Sequence, residues 1–384
     1  MKTSRLLFLG AGFSRPAGLP LGSELFHQVR ARIASQHGRD NHVERDLKRY
    51  IDYMRNCFNR DIPPEEVDYE QFLGFLDVEH YLGLKGKDTW SSEGNESQLM
   101  IRGAIAQVVH SHTPSDVPDA YRCFARQLNT SDYVLTFNYD TLLEKALDLE
   151  GVRYRLFPEQ YSKVDWVSCT IDPTAPDELV LIKLHGSIDW FSREPFDTMV
   201  EFIRATPNAY PAGHSYSHPL FGDDAIVTPV SLTRGPRPED ESLRHLYRVR
   251  DVTPILTQPF WKCTPFILVP STLKLLYAAP VLEFWRGLQR SGGLNLSLGI
   301  IGYSLPKYDD YALQAIYHVA RNYLHVEPDL SVDGRRKTKV RIIDYRKTDE
   351  QALQLRERYR FLDWGRTETW LDGFSEEAAE WMLR

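Results

Sequence analysis

Residues 5–9, Arg-Leu-Leu-Phe-Leu, run without a break into Gly10-Ala11-Gly12-Phe13-Ser14-Arg15-Pro16-Ala17-Gly18-Leu19-Pro20. A short apolar run bounded by turn residues reads as a strand buried on both faces, as in parallel sheets. The glycines permit a tight turn and a close approach of backbone to a ligand, and the segment from Leu21 reads as a helix. Strand, glycine turn and helix N-terminus together make an anion site, because free N–H groups and the helix dipole converge there. This predicts a phosphate-bearing ligand; a tight turn that holds nothing would leave the same pattern. The loop is not a Rossmann fingerprint, since Arg15 stands where the third glycine belongs, and it lacks the Gly-Lys-Ser/Thr of a P-loop. Pro16 excludes a nucleophile elbow around Ser14.

Further strands are expected at Tyr133–Phe137, Leu179–Leu184, Phe266–Val269, Leu296–Ile301 and Val340–Asp344, with a short one at Ala225–Thr228. Helical spacing separates them: Leu25, Phe26, Val29 and Ile33; then Leu47, Tyr50, Ile51 and Met54; then Ile101, Ile105, Val108 and Val109. Helices are also expected from Thr141 to Leu149, from Thr272 to Gln289 with a kink at Pro280, and from Asp310 to Tyr323. Strands alternating with helices predict an α/β fold, a Rossmann-like doubly wound parallel sheet. One unit over 1–384 is expected, with core segments at about 1–40, 130–190 and 220–348. A helical insertion fills about 41–129, an irregular one rich in Pro, Gly, His and Asp fills about 190–265, and an amphipathic helical tail occupies 349–384.

The 384 residues are 42% hydrophobic and 26% charged, an ordinary balance for a globular protein. A net charge of −7 argues against direct nucleic-acid binding. The four cysteines, Cys57, Cys123, Cys169 and Cys263, include no C-x-x-C pair, which excludes a zinc ribbon and fits a reduced cytoplasmic setting. Leu6–Leu9 is too short for a signal-peptide core, and no run is long enough to span a membrane. His214 and His218 stand four apart between Gly213 and Pro219, too few ligands for a metal. No metal is expected.

In a doubly wound sheet ligands bind beyond the carboxyl ends of the strands. Three tips there carry polar chemistry: Thr136-Phe137-Asn138-Tyr139-Asp140, Lys183-Leu184-His185-Gly186-Ser187, and Gly302-Tyr303-Ser304-Leu305-Pro306 followed by Asp309 and Asp310. Taken singly, Asn138 would serve as a helix cap, His185 as a satisfied buried histidine, Ser304 as a strand end, and Asp309 or Asp310 as a cap.

Taken together, G-A-G-x-S-x-x-x-G-x-P, T-x-N-x-D, H-G and G-x-S-L resemble the sirtuin superfamily in order. They are most similar to the sirtuin-like domains of prokaryotic antiphage defence proteins, and they span residues 10 to about 310. The resemblance implies a Rossmann-like core that binds NAD. Asn138 matches the catalytic asparagine and His185 the catalytic histidine. Gly10, Ala11, Gly12 and Ser14 would line the phosphates and adjoining ribose, Asp140 would lie near the nicotinamide, and Gly302 and Ser304 would support the cofactor from the facing tip. The family often has an aspartate where Asp309 and Asp310 stand, which implies that one of them touches the cofactor, and Asp310 is counted among the cofactor-binding residues.

The residue types suit that chemistry. Breaking the nicotinamide–ribose bond builds positive charge on the sugar, as in glycoside hydrolysis. An asparagine amide can orient hydroxyls or water through both donor and acceptor, and an imidazole can take a proton near neutral pH. Two departures matter. Protein-deacylating sirtuins carry a four-cysteine zinc module that this chain cannot supply. Their G-I-P-D-F-R continuation is here Gly18-Leu19-Pro20-Leu21-Gly22-Ser23, leaving Phe13 as the loop's aromatic. The expectation is therefore an NAD glycohydrolase, with NAD as substrate, acting in abortive infection by NAD depletion. A homo-oligomer and a partner such as a HerA-type hexameric ATPase are implied. The alternatives are an NAD-dependent deacylase and a non-catalytic NAD- or ADP-ribose-binding assembly module.

Overall fold

The computed structural model describes residues 4–85, 94–156, 164–165, 170–171, 178–206, 220, 246–257, 264–269, 271, 273–278, 281–288, 291–306, 309–332 and 334–384. The expected strand at Ala225–Thr228, Pro280, His214, His218, Cys169 and Cys263 lie outside the described residues.

The chain folds as expected into a Rossmann-like α/β structure. Its strands are β1 (Arg5–Leu9), β2 (Tyr133–Thr136), β3 (Tyr154–Leu156), β4 (Val164–Asp165), β5 (Thr170–Ile171), β6 (Leu179–Lys183), β7 (Gly186–Ser192), β8 (Leu246–Arg248), β9 (Pro265–Ile267), β10 (Ser297–Ile301), β11 (Ser331–Val332), β12 (Arg335–Arg336), β13 (Val340–Ile343) and β14 (Thr367–Trp370). Seven of them form one sheet in the order β14-β13-β10-β1-β2-β6-β3, and every pairing in it is parallel. Both faces of its centre are covered, so β1 and β10 are buried along their whole length. From β1 the chain winds outward through β2 to β3 and β6, then returns to β10 on the other side of β1. The winding reverses between β1 and β10, which makes their carboxyl ends the switch point where such sheets open a crevice.

Helix α1 (Ala11–Ser14) and α2 (Gly22–His37) follow β1, and α3 (His42–Phe58), α4 (Tyr69–Tyr81), α5 (Glu96–His112) and α6 (Asp119–Gln127) precede β2. Their starts are written in the sequence. The Asn41 side chain accepts from Glu44 N at 3.0 Å, Asp68 accepts from the amides of Glu70 and Gln71, and Asn95 with Gln98 forms a reciprocal capping box. Helix α5 is buried on most sides and packs on α2, which joins this insertion to the core.

Three expectations on elements are corrected. The apolar run at Phe266 is not a strand of the parallel sheet: β9 pairs antiparallel with β7, which also pairs antiparallel with β8. A run buried on both sides looks alike in either sheet. Within 273–288, a 3-10 turn at Lys274–Tyr277 and a short helix at Leu282–Gly287 stand in place of one long helix. The tail is not all helix. After the helix Asp349–Arg358 the chain forms β14, an edge strand in register with β13, and then the helix Glu376–Leu383. Thr-Glu-Thr-Trp is the alternation of a half-exposed edge strand, hidden from sequence by charged helices on both sides.

The last helix closes the core from beneath. Arg5 at the start of β1 donates through Nε and Nη2 to Asp132, at 3.0 and 2.6 Å, through Nη1 to Leu383 O at 2.8 Å and through Nη2 to Gln127 O at 2.7 Å. Asp132 also accepts from the amide of Asn129 at 2.8 Å. Both ion-pair partners are buried, so one arginine ties β1, the turn before β2 and the C-terminus together. No described helix is long and apolar enough to cross a membrane.

Candidate functional site

The crevice at the switch point is a cleft of about 1340 Å³. The turns after β1, β2, β6, β10 and β13 face it, and residues 64–70 of the helical insertion close it from above. Ala11, Gly12, Ser14, Asn138, Asp140, His185, Gly302 and Ser304 all line it. Gly10 and Asp310 do not. Gly10 lies beneath the floor, and Asp310 is exposed in the first turn of the helix Asp310–His325. Its neighbour Asp309, buried, lines the cleft instead.

The glycines of the first loop have a different task from the one their motif advertises. Gly10 N donates to Ile301 O at 2.9 Å and Gly12 N to Gly302 O at 2.8 Å. A Cβ on Gly302, whose φ is +62°, would lie 2.2 Å from Phe13 N. The two turns thus pack backbone to backbone, and these two amides are spent on that contact. Gly302→Ala is expected to cost about 1–3 kcal/mol through left-handed strain alone, read as a lower urea midpoint with an unchanged slope. Phe13 is not a cleft residue either. It is buried against Tyr121, Phe124 and Phe374, with centroids 5.1, 5.4 and 4.6 Å away.

Asn138 is held from two sides. Its Nδ2 donates to Gly10 O at 2.9 Å and to Ser14 Oγ at 3.1 Å, and its own amide donates to Thr136 Oγ1 at 3.0 Å. Ser14 Oγ in turn donates to Asp140 Oδ2 at 2.8 Å. Asp140 Oδ1 accepts from Leu142 N at 3.0 Å, the first amide of the helix Leu142–Leu149. Asp140 therefore sets Ser14, and Ser14 sets the asparagine. Beneath them the fully buried Lys183 hydrogen-bonds the Asp140 carbonyl and reaches Glu144 Oε1 at 2.7 Å. That gives the Lys of Lys-Leu-His-Gly-Ser a role: it fixes the turn that carries Asn138.

His185 stands at the tip of the neighbouring strand β6, where the chain leaves the parallel sheet. Gly186, at φ +77°, makes that corner; a Cβ there would meet Phe266 O at 2.2 Å. The imidazole is buried among Phe137, Tyr139, Trp285 and Tyr311. Its Nε2 lies 3.3 Å from Tyr311 Oη and 3.7 Å from Asp309 Oδ2. Burial, with Lys274 nearby, holds its pKa well below the ordinary 6.5, while a hydrogen bond with the Phe137 backbone opposes the shift. At neutral pH the ring is uncharged.

Tyr311 and Lys274, which touch His185 or its neighbour Asp309, belong to no motif in the sequence. Both were hidden by their places in ordinary helical patterns, Tyr311 in the helix expected from Asp310 to Tyr323 and Lys274 in the one expected from Thr272 to Gln289. At the far end of the cleft Asp344 and Arg346, after β13, pair at 2.8 Å and line the wall. Asp344 closes the last expected strand, a strand-tip position of the same kind as Asn138 and His185, and that rule could have found it. Among the described residues one group of possible metal ligands occurs, Cys123 with the exposed Glu376 and Glu380, and none of the three lines the cleft.

The family model described as "SIR2-like domain" matches residues 132–216, a span that holds both Asn138 and His185. No curated protein matches this chain. Among solved structures, one described as "The Structural basis of Sirtuin Substrate Affinity" is 11% identical, with a TM-score of 0.30, covering 98% of this chain and 92% of its own. Sir2Tm bound to a propionylated peptide is 12% identical, with a TM-score of 0.30, covering 99% and 91%. Over residues 132–216 this chain is similar in sequence to the SIR2-like domain, on the part of the fold that carries the asparagine and the histidine.

Proposed function

We propose that this protein is an NAD glycohydrolase that cleaves NAD to nicotinamide and ADP-ribose, with Asn138 and His185 as its catalytic residues. One observation carries the reading. Two side chains at the tips of the neighbouring strands β2 and β6 line one cleft, one an amide locked by Gly10 O and Ser14, the other a buried, uncharged imidazole. Ala11, Gly12, Ser14, Gly302 and Ser304 lie along the same cleft and would hold the dinucleotide, with Gly10 supporting them from below. Asp140 acts through Ser14, and Asp310 is replaced in this reading by Asp309. As the bond to nicotinamide breaks, the ribose gains positive charge and nicotinamide leaves as a neutral ring. Asn138 orients the sugar hydroxyls or the attacking water. His185 takes the proton released when the water oxygen bonds to the sugar carbon.

The biological role follows as part of the same proposal: an effector of bacterial antiphage defence that acts in the cytoplasm by depleting NAD. It is held in a homo-oligomer and switched on with a partner such as a HerA-type hexameric ATPase. Incubating the chain with NAD, alone and with that partner, and following NAD by chromatography tests it. Steady release of nicotinamide and ADP-ribose supports the reading; intact NAD under both conditions overturns it.

The pH dependence has a definite sign. A base already uncharged well below pH 6.5 gives a cleavage rate that is flat through neutrality and falls only on the acid side. The same residue weakens the fold in acid. Unfolded, it binds a proton near pH 6.5; folded, only at lower pH, so its contribution to stability declines as pH drops through about 6.5. A pH–rate profile with its acid limb above pH 7 would contradict this assignment.

A further inference from the structure

Behind His185 lies a buried ion pair whose lysine the proposed reaction does not use. Lys274 Nζ stands 3.2 Å from Asp309 Oδ1 and 4.8 Å from the centroid of the Tyr311 ring, and both charged residues are almost fully buried. Asp309 Oδ2 accepts from Tyr303 Oη at 2.8 Å and faces His185 Nε2 at 3.7 Å. Tyr303 stacks on Phe137 with centroids 4.1 Å apart, and Phe137 packs edge-on against the imidazole. Lysine, aspartate, histidine and three aromatic rings thus form one connected block.

A carboxylate at that distance from an imidazole ordinarily captures it as an imidazolium, which would destroy a base. Something must hold the carboxylate's charge elsewhere. We infer that Lys274 and Asp309 are positioning residues for His185: the ammonium offsets the charge of the carboxylate as an ion pair, the carboxylate fixes Tyr303, and the imidazole is left uncharged at the cleft. This rests on the glycohydrolase reading for its purpose, but its physical content does not depend on turnover.

The charges around the ring support the assignment. From the turn after β2 come Phe137 and the ring of Tyr139, whose hydroxyl donates to Leu268 O; from the 3-10 turn, Lys274; from the turn after β10, Tyr303 and Asp309; from the helix Asp310–His325, Tyr311. Lys274 is the cation among them, and Asp309 is its nearest counter-charge. Burial pulls the lysine's own pKa down, while Asp309, Glu70 and Asp77 raise it.

The test measures His185 directly, by NMR titration of ring-labelled histidine in the full chain, with the His185→Ala spectrum to assign the signal. In Lys274→Met the freed carboxylate should raise the His185 midpoint by roughly one to three pH units. In Lys274→Met/Asp309→Asn, which removes both charges, the midpoint should return toward the wild-type value. Should Lys274→Met fail to fold, Asp309→Asn must place the midpoint at or below that of wild type. An unmoved midpoint in Lys274→Met, a double variant that behaves like the single one, or a raised midpoint in Asp309→Asn overturns the inference. In the kinetic arm, kcat for NAD cleavage by Lys274→Met should fall roughly tenfold at pH 7 for a midpoint one unit above neutrality and recover by about pH 9, with KM little changed. If NAD is never cleaved while the midpoints move as stated, the glycohydrolase reading fails and the positioning role stands.

Discussion

Asn138→Ala is expected to lower NAD cleavage by roughly 10²–10⁴-fold while leaving the protein folded. The side chain donates to Gly10 O and Ser14 Oγ, and losing these bonds frees a buried carbonyl and hydroxyl, which a water from the cleft can reach through the space the amide vacates. The structural cost is therefore small, about 1 kcal/mol. The catalytic cost is large, because an orienting amide acts on charge that develops only as the glycosidic bond breaks. The useful comparison is Asn138→Asp. It keeps the size, but a carboxylate cannot donate to a carbonyl, so a variant that folds yet turns over as slowly as the alanine form locates the effect in the amide. Kinetics paired with thermal melts check this; retained activity in Asn138→Ala would remove the residue from the mechanism.

Asp132→Ala is expected to be the most damaging substitution in the fold, at roughly 3–5 kcal/mol. Arg5 would keep its bonds to Leu383 O and Gln127 O but lose both carboxylate contacts, leaving an uncompensated guanidinium beneath the central strand. For a domain with a stability of about 5–15 kcal/mol that is a large share. Urea unfolding should show a much lower midpoint with activity per folded molecule preserved, since the pair lies at the amino end of β1, away from the cleft. Replacing both partners by apolar residues of similar volume should restore much of the loss.

The sheet was legible because its inner strands are short, largely apolar runs that end in a small or polar residue, as at Leu6–Leu9 and Leu298–Ile301. The site was legible for the same reason: strand tips are where chemistry gathers, and Asn138, His185 and Gly302 sit at three of them. What sequence could not convey was direction and depth. Phe13 was free to face cleft or core, and three aromatic neighbours draw it into the core. Asp309 and Asp310 differ by one residue, but helix geometry turns the second outward. Gly10 and Gly12 carry a ligand-binding signature, yet their amides go to the turn after β10. Lys274 belongs to no motif at all, and only the folded chain brings it to Asp309.

The central claim, that water is the acceptor for the ribose when nicotinamide leaves, has a direct measurement. NAD is incubated with the protein, together with the proposed partner, in water enriched in oxygen-18, and the products are weighed by mass spectrometry. The account predicts nicotinamide and ADP-ribose in equal amounts, one heavy oxygen in the ADP-ribose before its sugar ring exchanges, and neither product with His185→Ala. Nicotinamide release that appears only when an acyl-lysine peptide is added, with the acyl group carried off on the ribose, would contradict it.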